Sequence, residues 1–215
     1  MSKTDGWVII NENMGLSNQP SLKSLKKLNT SKKIQDFLEK LPANFEKKGE
    51  TCRSPVGVLK HREAHCLEGA ILAAACLRLH GHRPLILDLA AHKRDLDHVV
   101  APFKIHNHWG AISKGNHAVL RYREPVYKNI RELVMSYFHE YFLDDGRKTL
   151  RSYSNPVDLS RFDKKGWMTS ETDVWYIERY LRKIRHKPIL TKMMMRNLRP
   201  ADPIEILAGK LTQWK

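Results

Sequence analysis

Cys66 and His98 are the two residues whose types and settings suggest covalent chemistry. Cys66 opens an Ala-rich apolar segment that is typical of a buried helix, so its thiol is expected in the first helical turn. Free backbone N–H groups and the positive end of the helix dipole favour a thiolate at that position. Cys76 lies inside the same segment and Cys52 in a loop, and neither is expected to react.

His98 is placed to act as a base toward this thiol. It opens a segment rich in Val and Phe that predicts a strand, and an imidazole at the mouth of a strand can face the N-terminus of a helix packed on the same sheet. A nucleophilic thiol needs a base within hydrogen-bond reach, and the base needs a third group to orient it. The sequence therefore has to supply a third residue near His98.

The elements that position this pair follow from periodicity, caps and turn residues. Apolar spacing predicts a helix from residue 31 or 32 to residue 41, which Pro42 ends, and Ser54-Pro55 begins a short helix to Leu59. The remaining predicted elements are a strand-like segment at 7–10, the buried helix over 66–80, strands over 85–91, 98–105 and 109–113, and helices over 125–142 and 170–185. This order is typical of an α+β protein.

Several short motifs, in this order, resemble bacterial-type members of the transglutaminase-like cysteine superfamily. They are Ser54-Pro55, His65-Cys66-Leu67-Glu68-Gly69-Ala70, Asp97-His98-Val99-Val100-Ala101 and Trp109-Gly110-Ala111-Ile112-Ser113. The resemblance covers residues 34–140, about half of the chain. It implies a papain-like Cys–His core, in which a buried helix bearing the catalytic Cys packs on a small antiparallel sheet bearing the catalytic His.

Two positions depart from the family's pattern, and the third member is open. The residue before the cysteine is usually Gly, and here it is His65. The third member is usually Asp, and the family position here is Ser113, which can orient an imidazole but cannot stabilise its charge. The expected register of the hairpin gives a second candidate for the third member. If Asn107 is at the centre of the turn, Asn116 lies opposite His98 on the neighbouring strand. Asn116 would make a Cys–His–Asn site like that of papain-like proteases. A third alternative is that neither residue acts.

The resemblance implies a thiol acyltransferase or amidohydrolase that acts on a protein or peptide amide. The thiolate of Cys66 would attack the amide carbonyl, with His98 as the base and later as the acid toward the leaving amine. The backbone N–H of Cys66 would contribute to an oxyanion hole. The acyl group would pass to an amine or to water, and the sequence does not choose between transamidation, deamidation and hydrolysis. No cofactor and no metal are expected.

Composition keeps two other classes of function open. The chain has 215 residues with 38 Lys and Arg against 23 Asp and Glu, a net charge of +15. Such a charge makes nucleic acid a secondary candidate partner, with the basic run at 179–187 as the phosphate-binding stripe. The other alternative is a catalytically silent member of the fold that binds a partner through its basic surface.

Location and domain organisation follow from what the sequence contains. It has no run of about 18 apolar residues, so no membrane span is expected. Its polar start and its three cysteines without a C-x-x-C pair favour a cytoplasmic protein without disulfides. Residues 1–143 are predicted to form the transglutaminase-like core, and residues 144–215 a basic helical C-terminal extension packed on it. The oligomeric state is left open.

Overall fold

The computed structural model describes residues 20–215, which form a mixed α+β fold around an antiparallel sheet. The segment predicted as strand-like at 7–10 lies outside the described residues. The α-helices in the described part are α1 (Ser31–Glu39), α2 (Pro55–His61), α3 (Cys66–Leu79), α4 (Ile130–Met135), α5 (Trp175–Lys183), α6 (Lys192–Arg196) and α7 (Pro203–Gly209). Shorter 3₁₀ helices cover Pro20–Lys27, Phe138–Glu140 and Leu159–Lys165.

The sheet runs through the middle of the fold. Its strands in the described part are β1 (Leu85–Ala91), β2 (His98–Ile105), β3 (His108–Ser113), β4 (Arg123–Tyr127), β5 (Leu150–Ser154), β6 (Val157–Asp158) and β7 (His186–Pro188). They lie in the order β4-β3-β2-β1-β5-β7, and β6 also pairs with β1. The α+β prediction is confirmed, as are the predicted helices at α1, α2 and α3 and the strands β1, β2 and β3.

The buried helix α3 packs across one face of the sheet. Its residues from Leu67 to Cys76 are buried without interruption, which agrees with the apolar character of all its faces. On β2, Val99, Ala101 and Phe103 join the core on the α3 side, and Val100 joins the core on the opposite side. The alternation of the strand therefore decides which of its side chains meet α3.

The prediction of one long helix over residues 125–142 is wrong. The segment is divided into β4, α4 and a 3₁₀ turn. Asn129 has extended backbone and its side-chain oxygen accepts from the Glu132 N–H at 3.0 Å, so a helix begins only after it. The preceding residues pair with β3 at the edge of the sheet, where Pro125 is tolerated because no ladder donor is needed on the outer side.

The C-terminal region was predicted to be helical, but it also contributes strands to the same sheet. β5 pairs with β1, and β7 pairs with β5. The helix predicted over 170–185 is shorter, from Trp175 to Lys183. The sheet thus continues across the boundary predicted at residue 143. Within residues 20–215, no helix is both long and apolar enough to cross a membrane.

Gly69 permits the closest approach of α3 to the end of the hairpin. A Cβ at position 69 would lie 2.4 Å from the Cβ of Lys114, which directly follows β3. Lys114 is buried and donates from Nζ to the Leu41 carbonyl at 2.6 Å, so its stem is fixed in place. A larger residue at 69 would therefore push α3 away from β3.

We expect Gly69→Ala to destabilise the protein by roughly 1–3 kcal/mol, since overpacking outweighs the better helix propensity of Ala. The free energy of unfolding measured in urea tests this. Gly115→Ala is the matched control, because its added Cβ would meet its nearest atom only at 3.7 Å. Equal stability of the two variants would contradict the close contact.

Candidate active site

Cys66 lies at the first turn of α3, where His65 is the N-cap residue. The helix begins here because the His65 carbonyl accepts from the Gly69 N–H at 2.9 Å and the Glu68 side chain accepts from the His65 N–H at 3.1 Å. Cys66 is partly exposed and lines a cavity of about 730 Å³. The thiol therefore has both a helix N-terminus behind it and room for a ligand in front of it.

His98 and Ser113 are diagonal neighbours on one face of the sheet. The β2–β3 ladder pairs Val100 with Ser113, which places His98 two residues along the same face. His98 Nε2 lies 2.8 Å from Ser113 Oγ, and both residues are buried. A side-chain hydrogen bond also joins His98 to Cys66. The structure thus brings Cys66, His98 and Ser113 into one chain of contacts.

The hydrogen bonds of Ser113 assign the tautomer of His98. The Ser113 hydroxyl donates to the Leu120 carbonyl at 2.6 Å, and a carbonyl can only accept. With its single proton committed, Ser113 Oγ accepts from His98, so the ring carries its proton on Nε2. Nδ1 is then the nitrogen left for the sulfur of Cys66. This is the orientation in which a histidine can take a proton at the thiol and keep its outer nitrogen anchored.

Gln35 of α1 anchors the third member from behind. Its side-chain amide donates to the Ser113 carbonyl at 2.8 Å and accepts from the Ser113 N–H at 2.9 Å. The amide thereby continues the strand ladder where β3 ends. The sequence analysis did not identify Gln35, although a polar residue between the apolar Ile34 and Leu38 on the core-facing side of α1 was an available signal.

Asn116 lies away from His98, and the expected hairpin register that placed it there is wrong by one residue. The turn consists of His106 and Asn107, both with positive φ, and the ladder closes at Ile105 and His108. A two-residue turn of this kind is a common hairpin connection. β3 ends before Asn116. Its side-chain oxygen accepts from the Trp214 N–H at 2.8 Å and its amide donates to the Trp214 carbonyl at 3.0 Å.

A second histidine, His65, also contacts the thiol. A side-chain hydrogen bond joins His65 to Cys66, and His65 Nε2 lies 3.0 Å from the Thr51 carbonyl oxygen. Glu68 Oε1 and Glu46 Oε1 lie 3.5 Å and 3.8 Å from the same nitrogen. The sequence analysis treated His65 only as a departure from the family pattern. Its adjacency to the cysteine was the signal for a direct role.

The two imidazoles control the ionisation of Cys66. Burial raises the pKa of this thiol, but hydrogen bonds and positive charge from His65 and His98 outweigh burial and hold the pKa well below its usual range. Burial lowers the pKa of His65, but the hydrogen bond and charge of Cys66, with the charge of Glu68, raise it to about 9. Both neighbours therefore favour the thiolate form of Cys66 over the thiol.

The other cysteines have the opposite environment. Burial raises the pKa of Cys52 to about 12 and raises the pKa of Cys76 further, and both side chains are fully buried. A thiol in such surroundings stays protonated and inert. Of the three cysteines, Cys66 is therefore the candidate nucleophile.

The cavity in front of Cys66 is lined by both apolar and charged side chains. The apolar residues include Leu120, Tyr141 and Phe142, and helix α7 contributes Ile206 and Gly209. Leu96, which also lines the cavity, is 85% exposed. The charged residues of the lining are five carboxylates and two lysines: Asp95, Asp97, Glu140, Asp144, Asp145, Lys114 and Lys210. In the described part of the chain, no group of three or more His, Cys, Asp or Glu side chains is arranged to hold a metal ion.

No protein-family model matches this chain, and no curated protein matches it in sequence. The resemblance of its short motifs to the transglutaminase-like superfamily thus has no support from these comparisons. The geometry around Cys66 is what bears on function.

We expect Cys66 to be alkylated well before the other cysteines, with the midpoint of its pH–rate profile clearly below about 8.5, the value of a free thiol. The sign follows from the lowered pKa, because the thiolate persists as pH falls below the ordinary thiol range. Iodoacetamide labelling at a series of pH values, read by peptide mass spectrometry, measures this. Cys52 and Cys76 serve as internal controls in the folded protein, and a Cys66 midpoint at 8–9 would contradict the assignment.

Proposed function

We propose that this protein is a transglutaminase-like thiol acyltransferase or amidohydrolase that acts on a protein or peptide amide. One observation carries the proposal: Cys66, at a helix N-terminus and at an open cavity, is hydrogen-bonded to a histidine whose outer nitrogen is anchored by Ser113. A nucleophile, a base and an orienting group in contact are the minimum that covalent acyl transfer requires. The adjacency of the Cys helix to the antiparallel β1-β2-β3 sheet supports a transglutaminase-like core.

The first half of the reaction forms a thioester. The Cys66 sulfur attacks the amide carbonyl, and the oxygen becomes an oxyanion near the N–H groups of the first turn of α3. Those N–H groups have no helical partner, so they are available to stabilise the negative charge. His98, which is protonated on both ring nitrogens at this stage, then gives its Nδ1 proton to the leaving amine as the C–N bond breaks.

The second half releases the acyl group. Neutral His98 accepts a proton through Nδ1 from water or from an amine, which attacks the thioester carbonyl, and the Cys66 thiolate leaves. Ser113 keeps Nδ1 directed at the reacting atoms through both halves, since Nε2–H donates to its hydroxyl. Ser113 is therefore a positioning residue in this proposal. A cavity of about 730 Å³ has room for a peptide segment and for the acceptor.

We expect His98→Asn to accumulate an acyl-enzyme. With 4-nitrophenyl acetate, whose leaving group needs no proton, the variant should keep a burst of one equivalent but turn over about 100-fold more slowly, the usual value of general base catalysis. Stopped-flow absorbance measures both phases, and intact mass spectrometry detects the acetylated protein.

Two controls accompany this measurement. Cys66→Ser should abolish the burst, and Ser113→Ala should slow turnover about tenfold, the equivalent of roughly one hydrogen bond. A wild-type protein that shows no burst, or one that acetylates elsewhere, would favour the catalytically silent binding protein instead.

A further inference from the structure

Two histidines contact the sulfur of Cys66, and their surroundings differ. His98 Nε2 donates to the Ser113 hydroxyl, a neutral group whose own proton is committed to the Leu120 carbonyl. His65 Nε2 lies among three oxygens, of which two belong to carboxylates, at 3.5 Å and 3.8 Å. An imidazolium is stabilised by nearby negative charge, and a hydroxyl supplies none. The positive charge is thus better placed on His65 than on His98.

We propose that His65 supplies the permanent positive charge that keeps Cys66 a thiolate, and that Glu68 holds His65 in this role. The inference rests on the proposed function, because it divides the chemistry of that site between two imidazoles. His98 is then free to move protons. His65 is a catalytic residue in this scheme, since it contacts the reacting sulfur, and Glu68 is a positioning residue.

Glu68 is suited to this role because it is a fully buried carboxylate with an unusual number of donors. It accepts from the Asn44 amide at 3.1 Å, the Thr51 hydroxyl at 2.7 Å, the Arg53 N–H at 3.0 Å and the His65 N–H at 3.1 Å. A carboxylate with several such donors stays ionised. Burial acts to raise the pKa of Glu68, but the charge of His65 and these hydrogen bonds lower it below its usual value.

Charged groups from several elements face this cluster. Glu46 in the loop before α2 faces His65, and Arg53 Nε lies 3.9 Å from Glu68 Oε1. Burial raises the pKa of Asp88 on β1 to about 6, and the charge of Cys66 raises it further. Burial and the charge of Cys66 also raise the pKa of Tyr141, which follows α4 in the chain.

An ionised Asp88 opposes a thiolate, and a cation at His65, beside the sulfur, offsets it.

The scheme links the two departures from the family pattern. In the family, an Asp at the position of Ser113 would stabilise the imidazolium of the catalytic histidine. Ser113 does not need to do this, because the permanent positive charge lies on His65, on the other side of the sulfur. His65, in place of Gly, supplies that charge directly.

The proton balance follows from this division. The first half starts from the protonated ring of His98: the sulfur electron pair forms the S–C bond, the C–N bond breaks, and the amine takes the Nδ1 proton of His98. In the second half, His98 takes a proton from water, the O–C bond forms, and the C–S bond breaks. His65 keeps its proton throughout and pairs again with the released thiolate.

The same substitution at each imidazole separates the two roles. Asn is a preferred N-cap residue, so His65→Asn should keep the start of α3, and His98→Asn is its matched control. We expect His65→Asn to move the midpoint of iodoacetamide labelling toward about 8.5 and to slow labelling at pH 6.5 by up to about 100-fold, because a thiol with a pKa of about 8.5 is then only about 1% ionised. His98→Asn should also slow labelling, but by a smaller factor than His65→Asn. The reverse order of the two effects would overturn the proposal.

Glu68→Gln tests the positioning role. The variant keeps the shape and removes the charge, so the labelling midpoint should rise in the same direction as in His65→Asn, by a smaller amount. Thermal unfolding of each variant shows whether it is folded. A folded Glu68→Gln protein with an unchanged midpoint would remove Glu68 from the scheme.

A measurement on the wild-type protein does not depend on the folding of any variant. In protein labelled with ¹⁵N-histidine, His65 should show both ring nitrogens protonated at pH 7.5, and a neutral His65 ring there would overturn the proposal. Failure of the proposed function looks different: the acetylation burst is absent, or Cys66 titrates as an ordinary thiol in the wild type. A burst together with a low midpoint that depends on His98 alone would leave the proposed function standing and reject only the role of His65.

Discussion

The approach of the first turn of α3 to the end of β3 is the constraint on which the site depends. Cys66 is on the helix, whereas His98 and Ser113 are on the sheet, so their separation is set by how closely the two layers pack. Gly69 allows this packing because it faces the buried stem of Lys114. Burial lowers the pKa of Lys114 to about 8, and its hydrogen bond to the Leu41 carbonyl ties the end of α1 to the same point. The absence of a Cβ at Gly69 therefore allows α3, the end of β3 and the segment after α1 to pack closely at this point.

The charges at the site are stabilised by one another rather than by solvent. Isolated buried charges are costly, and each ionised group here has a partner of opposite sign or several hydrogen-bond donors. Glu68 is fully buried and has four donors, His65 lies between Glu68 and the sulfur, and Cys66 lies between two imidazoles. Since each group depends on the next, the thiolate is a property of the whole cluster and not of the helix N-terminus alone.

The C-terminal region belongs to the site rather than to a separate extension. Its last residues run beside the loop after β3, where the Ala118 N–H donates to the Leu211 carbonyl and the Gln213 N–H donates to the Asn116 carbonyl. The helix α7 forms one side of the cavity through Ile206 and Gly209. Asn116, a candidate for the third member by sequence, instead anchors this segment through Trp214. The segment thereby encloses one side of the cavity that Cys66 lines.

Local patterns in the sequence determined the α+β class, the buried helix that begins at Cys66 and the hairpin that carries His98, because periodicity, caps and turn residues act over a few neighbouring positions. They failed at 125–142, where apolar spacing resembles a helix but pairing with β3 stabilises an edge strand instead. Only the tertiary structure shows that Ser113, and not Asn116, lies beside His98, since a one-residue change in hairpin register moves a side chain to the other face. It also brought Gln35 to Ser113, and Asn44 and Thr51 to Glu68. These contacts join residues far apart in the chain or on different elements, and their geometry is set by packing between layers, which no local pattern encodes.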